Sequence, residues 1–296
     1  GHRWAIFRGA GDAAIAMRVV WLANLLNIIL CPIFIFWLGF GVTGAAIGTA
    51  IGRGFGVFLA AYALFYSERR FEIRREHWKI DYSRIEKLIK VAAPGILQFI
   101  IQSASFIGLI RVISGFGSEA IAGYSIGWRV VIFGILPSVG IANAAATLVG
   151  QNLGAGNADR AEKAVWRTAL CNGFIQLSFG IVFVIFAEPI VRFFTVDPNI
   201  IPYGVDCLKV VSYGFFFYGV GMVLETSFNG AGDTWTPTKL NFFCFWLGQV
   251  PLAWLLAQPL GLGPLGVFIA VPAAFSILAL WSGVLFKRGR WKEQKV

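Results

Sequence analysis

Eight stretches of this chain are long and apolar enough to cross a bilayer, which restricts its possible folds severely. They run over 13–38, 42–66, 91–114, 120–149, 168–187, 203–228, 236–258 and 264–286. A hydrocarbon core about 30 Å thick needs about 20 apolar residues per helix. Inside it, every backbone N–H and C=O has to be satisfied within the segment. The expected fold is therefore an all-α integral membrane protein with eight transmembrane helices. Composition agrees: 57% of residues are hydrophobic and 14% charged, against roughly one quarter charged in soluble domains. Pro32, Pro94, Pro137, Pro251 and Pro272 fall inside these segments, where neighbouring helices can satisfy the freed backbone groups. The fourth segment is long enough to need a tilt, a kink near Pro137 or a protruding end.

The formal net charge is +10, and its placement reads as topology. Connections 1–12, 67–90, 150–167, 229–235 and 287–296 hold the basic residues. Segment 67–90 alone carries Arg69, Arg70, Arg74, Arg75, Lys79, Arg84, Lys87 and Lys90. Connections 39–41, 115–119, 188–202 and 259–263 hold only Arg192. Basic residues stay on the cytoplasmic side, so both ends are expected in the cytoplasm of an inner (plasma) membrane protein. No nucleic-acid partner is implied. Segment 67–90 mixes its charges with Phe71, Ile73, Trp78, Ile80 and Ile85; it reads as an amphipathic interfacial helix or as a solvated linker. Cys31, Cys171, Cys207 and Cys244 stand singly, and the two histidines, His2 and His77, form no H-E-x-x-H. That argues against a metal or disulfide framework and against an enzyme, and no cofactor is expected.

A repeat runs through the chain. Phe7-Arg8-Gly9-Ala10-Gly11-Asp12 recurs as Phe228-Asn229-Gly230-Ala231-Gly232-Asp233, and Gly39-Phe40-Gly41-Val42-Thr43-Gly44 recurs as Gly261-Leu262-Gly263-Pro264-Leu265-Gly266. The latter pattern also matches a dinucleotide-binding fingerprint, but that reading needs a preceding strand, and here membrane-length segments flank both copies. Both patterns read as turns. Gly9 and Gly230 belong to these turns, Gly11 and Gly232 would permit unusual backbone angles, and Asp12 and Asp233 would cap the following helices. The second hexapeptide has four apolar segments before it and two after. If the copies are equivalent, a full repeat has six helices and the two share an orientation, related by an axis along the membrane normal. The expectation is a two-lobe, six-plus-six transporter fold of which this chain holds the last eight helices. The divisions are 1–66 (the end of the first lobe), 67–90 (the linker), 91–286 (a complete six-helix lobe) and 287–296 (a basic tail).

Phe7–Asp12, Asn27-Ile28-Ile29-Leu30, Gly41–Ala46, Ala93-Pro94-Gly95, Ala120–Arg129, Val149-Gly150-Gln151-Asn152-Leu153-Gly154-Ala155-Gly156 and Phe228–Pro237 together resemble the multidrug and toxic compound extrusion (MATE) family. The resemblance spans the whole chain. It implies a secondary transporter exporting drugs or toxic organic cations, driven by Na+ or H+ entry, with lobes that rock between inward-open and outward-open states. The partners implied are the lipid bilayer and small amphipathic or cationic substrates, and the full-length protein is expected to be a monomer. Two alternatives stand beside it: a lipid-linked oligosaccharide flippase of the same superfamily, kept open by Arg53 and Arg129, and a fragment without transport activity.

Candidate residues follow. From helix rise, Asn27 and Thr49 could meet at similar depth, and both supply oxygen ligands suited to a hard cation. They match two cation-site positions of the family's first lobe; an interhelical hydrogen bond is the other reading. Where the family often has an aspartate, four residues after this asparagine, the chain has Cys31. In the second lobe the positions of two family acids hold Gln102 and Tyr218. Gln98 and Gln102 share a helix face and are cavity candidates, as are Tyr218 and Arg129. Charges within membrane segments are costly and default to functional hypotheses; Arg53, Arg111, Arg129 and Glu225 qualify. Glu225 lies about one turn before Asn229, so it could simply face the interface.

Overall fold

The computed structural model describes residues 13–66 and 82–293. They belong to two units, Gly1–Tyr82 and Ser83–Val296. The described residues form helices and turns, with no strand among them. Seven helices are long and apolar enough to span a membrane, or eight when one bent pair counts as a single span.

In the first unit, helix α1 (Ala13–Pro32) runs into a wider, π-helical turn at Ile33–Trp37. Pro32 is the last residue before the ladder widens. There the Leu38 N–H reaches back five residues to the Ile33 carbonyl, at 3.0 Å. The turn closes through Gly39 (φ +69°) and Gly41 (φ +53°), and α2 (Gly41–Tyr66) returns along α1. Gly44, Gly48 and Gly52 recur every four residues and so share one face of α2. A Cβ on Gly44 would lie 2.6 Å from the Phe34 carbonyl carbon, and one on Gly48 would lie 3.0 Å from Cys31 Sγ. Lipid tails give helices no hydrophobic reason to pair, so backbone proximity and van der Waals packing hold such a pair together.

The second unit contains α3 (Tyr82–Ile113), α4 (Ser118–Gly154), α5 (Ala158–Ile185), the short α6 (Ala187–Phe194) and α7 (Ile201–Ser212). It continues with α8 (Phe215–Gly230), α9 (Trp235–Asn241), a π-helical stretch Phe242–Gln249, α10 (Val250–Ala257) and α11 (Pro264–Lys287). Its core centres on buried Tyr124, Phe215 and Phe268, with a second cluster around Phe228, Phe286 and Trp291. The turn of the first unit recurs here bond for bond. Leu38 to Ile33 becomes Leu260 to Leu255, and Phe40 to Phe34 becomes Leu262 to Leu256, each at 3.0–3.1 Å. Gly261 and Gly263 again have positive φ, and a Cβ on Gly266 would meet the Leu256 carbonyl carbon at 2.6 Å.

Three boundaries differ from the sequence reading. α5 begins at Ala158 rather than near 168, because a polar helix can extend into water without losing its backbone ladder. For the same reason α3 begins at Tyr82, so 82–90 is helical and continuous with the apolar segment. The sixth segment is a bent pair, α7 and α8, meeting at 56°. At the break, a Cβ on Gly214 would come within 2.5 Å of Pro272 Cβ. Gly9, Gly11, Asp12 and linker residues 67–81 lie outside the described residues.

The basic tail folds back at Arg290–Glu293. Trp291 is fully buried, stacks on Phe286 at 4.5 Å and donates from Nε1 to the Phe286 carbonyl at 2.9 Å. Lys292 pairs with Glu162 at 2.6 Å and with Asp159 at 3.1 Å. These hydrogen bonds, Glu162's first, raise the Lys292 pKa above its ordinary value. The favourable contribution is therefore complete at neutral pH and is lost only as alkali deprotonates Lys292. Trp291→Ala is expected to destabilise the protein by about 3–5 kcal/mol, read as a lowered Tm in detergent; an unchanged Tm contradicts the anchoring role.

Candidate functional site

A cavity of about 210 Å³ lies inside the second unit, between α3, α4, α8, the π-helical stretch and α11. Helical periodicity builds its walls. Tyr218, Met222 and Glu225 form one stripe of α8, and Gln102, Ser105 and Leu109 one stripe of α3. Phe245 and Gln249 come from the π-helical stretch, Trp128 from α4, and Phe275 and Leu278 from α11. The Tyr218 and Phe275 rings meet edge to face at 4.6 Å, and Phe275 meets Phe245 at 5.2 Å. Phe106 and Trp128 close another wall, 5.7 Å apart.

Two hydrogen-bonded groups stand in and beside the cavity, in addition to Gln102 and Tyr218 on its wall. The Ser105 hydroxyl is 3.0 Å from Gln249 Oε1 and 3.1 Å from the Phe245 carbonyl. Asn241 Nδ2 donates to Glu225 Oε1 at 2.7 Å. Glu225 is the one charged side chain lining this cavity among the described residues. The bend at Gly214 sets the start of α8 inside the unit, and broken membrane helices of this kind are recurrent builders of transport sites.

The sequence candidates separate. Gln102 and Tyr218 line the cavity. Gln98, one turn from Gln102, does not; it is buried in a network with Asn229, Thr238 and the Thr234 carbonyl at 2.9–3.2 Å. That network ties α3 to the turn before α9, where Gly232 takes φ +82°. There Asp233 accepts from the Thr236 N–H at 3.1 Å and from its hydroxyl at 2.6 Å, while Gly230 packs against the Ala146 backbone. Arg129 is exposed, on a different face from cavity-lining Trp128. Gln98→Leu is expected to cost about 1–3 kcal/mol, because buried amide and hydroxyl groups lose their partner; a thermal melt equal to wild type contradicts this.

In the first unit, Asn27, Cys31 and Thr49 come together. Cys31 Sγ lies 3.4 Å from Asn27 Oδ1, 3.9 Å from Thr49 Oγ1 and 3.7 Å from the Ala45 carbonyl. The thiol thus occupies the middle of the group and is itself a poor ligand for a hard cation.

The sequence reading did not single out Ser105, Asn241 or Gln249, and left Glu225 open between a functional charge and one that faces the interface. Two signals were available: Glu225 lies seven residues after Tyr218 and so shares its stripe, and Gln249 follows the second hexapeptide at nearly the spacing at which Asn27 follows the first.

Residues 94–255 match the family described as MatE. The chain is 30% identical to a probable multidrug resistance protein NorM from Thermotoga maritima, aligning over 99% of its own length and 64% of that relative. It is 25% identical to an FAD transporter from Shewanella oneidensis, over 90% of this chain and 59% of that protein. Among solved structures it is similar to an outward-facing multidrug resistance MATE family transporter, with TM-score 0.89, 28% identity, and 98% of this chain and 65% of that one covered. The chain thus spans 59–65% of the length of these relatives.

Proposed function

Since the chain belongs to the MatE family, a family of multi-pass membrane transporters and not of enzymes, we propose that it exports organic cations and other small amphipathic compounds by antiport against Na+ or H+. The observation that carries this reading is the cavity: aromatic walls around one carboxylate, inside membrane-spanning helices. Aromatic faces attract desolvated cations by about 2 kcal/mol, and a carboxylate there adds charge complementarity. No basic residue lines the cavity among the described residues, which favours cation export over a flippase anchoring a pyrophosphate. The relative named for FAD carries an anionic cargo; the single carboxylate here favours the opposite sign.

In this mechanism Glu225 receives either the cargo's positive charge or the coupling cation, and alternating access moves each in opposite directions. Both chain ends sit in the cytoplasm, a reading supported by the distribution of basic residues. The test is efflux of a cationic dye from proteoliposomes carrying the protein, with Na+ and pH gradients imposed separately. Efflux driven by either gradient is expected; if neither drives it, the antiport reading fails.

A further inference from the structure

All the charges of α5 fall at its start. Asp159, Arg160, Glu162, Lys163 and Arg167 lie within 158–167, and 168–185 holds no charged residue. Lys163 and Arg167 are exposed and stand one helical turn apart, about 6 Å along the axis. They share an open hollow with Asp159, Glu162 and Trp166. Left alone, the two carboxylates there would offset the two cations. The folded-back tail prevents this: Lys292 Nζ lies 2.6 Å from Glu162 and 3.1 Å from Asp159. Lys163 and Arg167 have no carboxylate partner among the described residues, so the hollow keeps a positive charge to offer.

The face that carries these cations continues as an apolar stripe. Leu170, Phe174, Leu177 and Ile181 follow Lys163 and Arg167 at helical spacings of three and four residues, and are 37–61% exposed. From Arg167 to Ile181 the stripe runs about 21 Å, against about 15 Å for the hydrocarbon of one leaflet. Trp166 borders it, resting on Gly283 of α11, where an added Cβ would meet the indole at 3.4 Å. Tryptophan favours the membrane interface, which sets the two cations at headgroup level. A soluble anion would use only the charged end of this face. A phospholipid matches both parts in order, the charge first and the apolar length directly below.

We propose that this face of α5 binds an anionic phospholipid of the cytoplasmic leaflet. Its phosphodiester lies between Lys163 and Arg167, and an acyl chain runs along Leu170, Phe174 and Leu177. Lys292 is a positioning residue: it holds Glu162 and Asp159 so that neither opposes the lipid's charge. Basic pockets beside membrane helices on the cytoplasmic side hold such headgroups. The site does not depend on what the chain transports.

The test uses the full chain in nanodiscs, with Cys171 kept and the other cysteines replaced. Cys171 is exposed, one turn from Arg167, and a small fluorophore there reports lipid on this face. The quenchers are phosphatidylglycerol and phosphatidylcholine, each spin-labelled on its chain. Phosphatidylglycerol is expected to quench at about twentyfold lower lipid fraction, roughly fivefold for each basic residue at the surface. Lys163→Gln with Arg167→Gln is expected to erase that preference, and Arg111→Gln with Lys239→Gln, the same charge removed elsewhere, to leave it intact. Lys292→Gln is expected to weaken it about fivefold, and adding Glu162→Gln and Asp159→Asn to restore it, a rescue that a merely structural role for Lys292 would not give. Excess inorganic phosphate at constant ionic strength is expected not to relieve the quenching. Equal quenching by both lipids in wild type overturns the proposal, as does a preference that survives Lys163→Gln with Arg167→Gln. Full displacement by phosphate also overturns it, by making the site one for a soluble anion.

Discussion

Glu225→Gln is expected to lower gradient-driven export by about tenfold to a hundredfold while leaving the Tm near that of wild type. Glutamine keeps the shape of the side chain and an oxygen for Asn241 Nδ2, so the packing of α8 against α9 survives. What disappears is the charge. Hydrogen bonds to charged groups contribute about 1.5–3 kcal/mol, and about 1.4 kcal/mol is one factor of ten. Because Glu225 is the one charged group in the cavity among the described residues, no neighbour replaces it. Dye efflux from cells or vesicles checks this; export at the wild-type rate means that the carboxylate has no part in transport.

Gly230→Ala is expected to be the most damaging small substitution in the repeated turn. Gly230 ends α8 where that helix crosses α4, and an added Cβ would collide with the carbonyl oxygen and Cα of Ala146. Both obstacles are backbone, so no side chain can swing aside and the helices have to separate. A cost of about 3 kcal/mol is expected, at the upper end for overpacking. Gly232, two residues on, has open space around its Cβ position but φ +82°, so Gly232→Ala is expected to cost only about 1–2 kcal/mol, the strain of a left-handed alanine. Melting temperatures of the two variants in detergent decide the order; equal losses contradict the division of roles.

Helix number and repeat order were legible because both rest on one-dimensional signals. Hydropathy finds a membrane span, and glycines that need positive φ or a close backbone approach, such as Gly39, Gly44, Gly261 and Gly266, recur at fixed spacing. That Asn27 and Thr49 lie at similar depth was also readable from the rise per residue; that the Cys31 thiol stands between them, 3.4 Å from Asn27 Oδ1 and 3.9 Å from Thr49 Oγ1, was not. The bend between α7 and α8 was not readable either, because the close approach that accompanies it, Gly214 beside Pro272 of the distant helix α11, leaves no local sequence signal. Depth alone left open whether Glu225 faces the interface or the interior; the tertiary arrangement turns it into a cavity and places Asn241 beside it. Gln98 shows the same limit. A helix face groups it with Gln102, but the turn at Asn229 captures it in a buried network instead.

The cavity in the C-terminal unit is expected to receive the transported cation. Accessibility of a cysteine placed there tests it most directly. In a chain whose four native cysteines are replaced, Met222→Cys puts a thiol on the cavity wall, and Phe193→Cys puts one on an exposed surface of α6 as a control. A small thiol reagent is expected to label both, and a cationic dye is expected to protect position 222 and not position 193. Labelling of position 222 that is unchanged by saturating dye contradicts the claim.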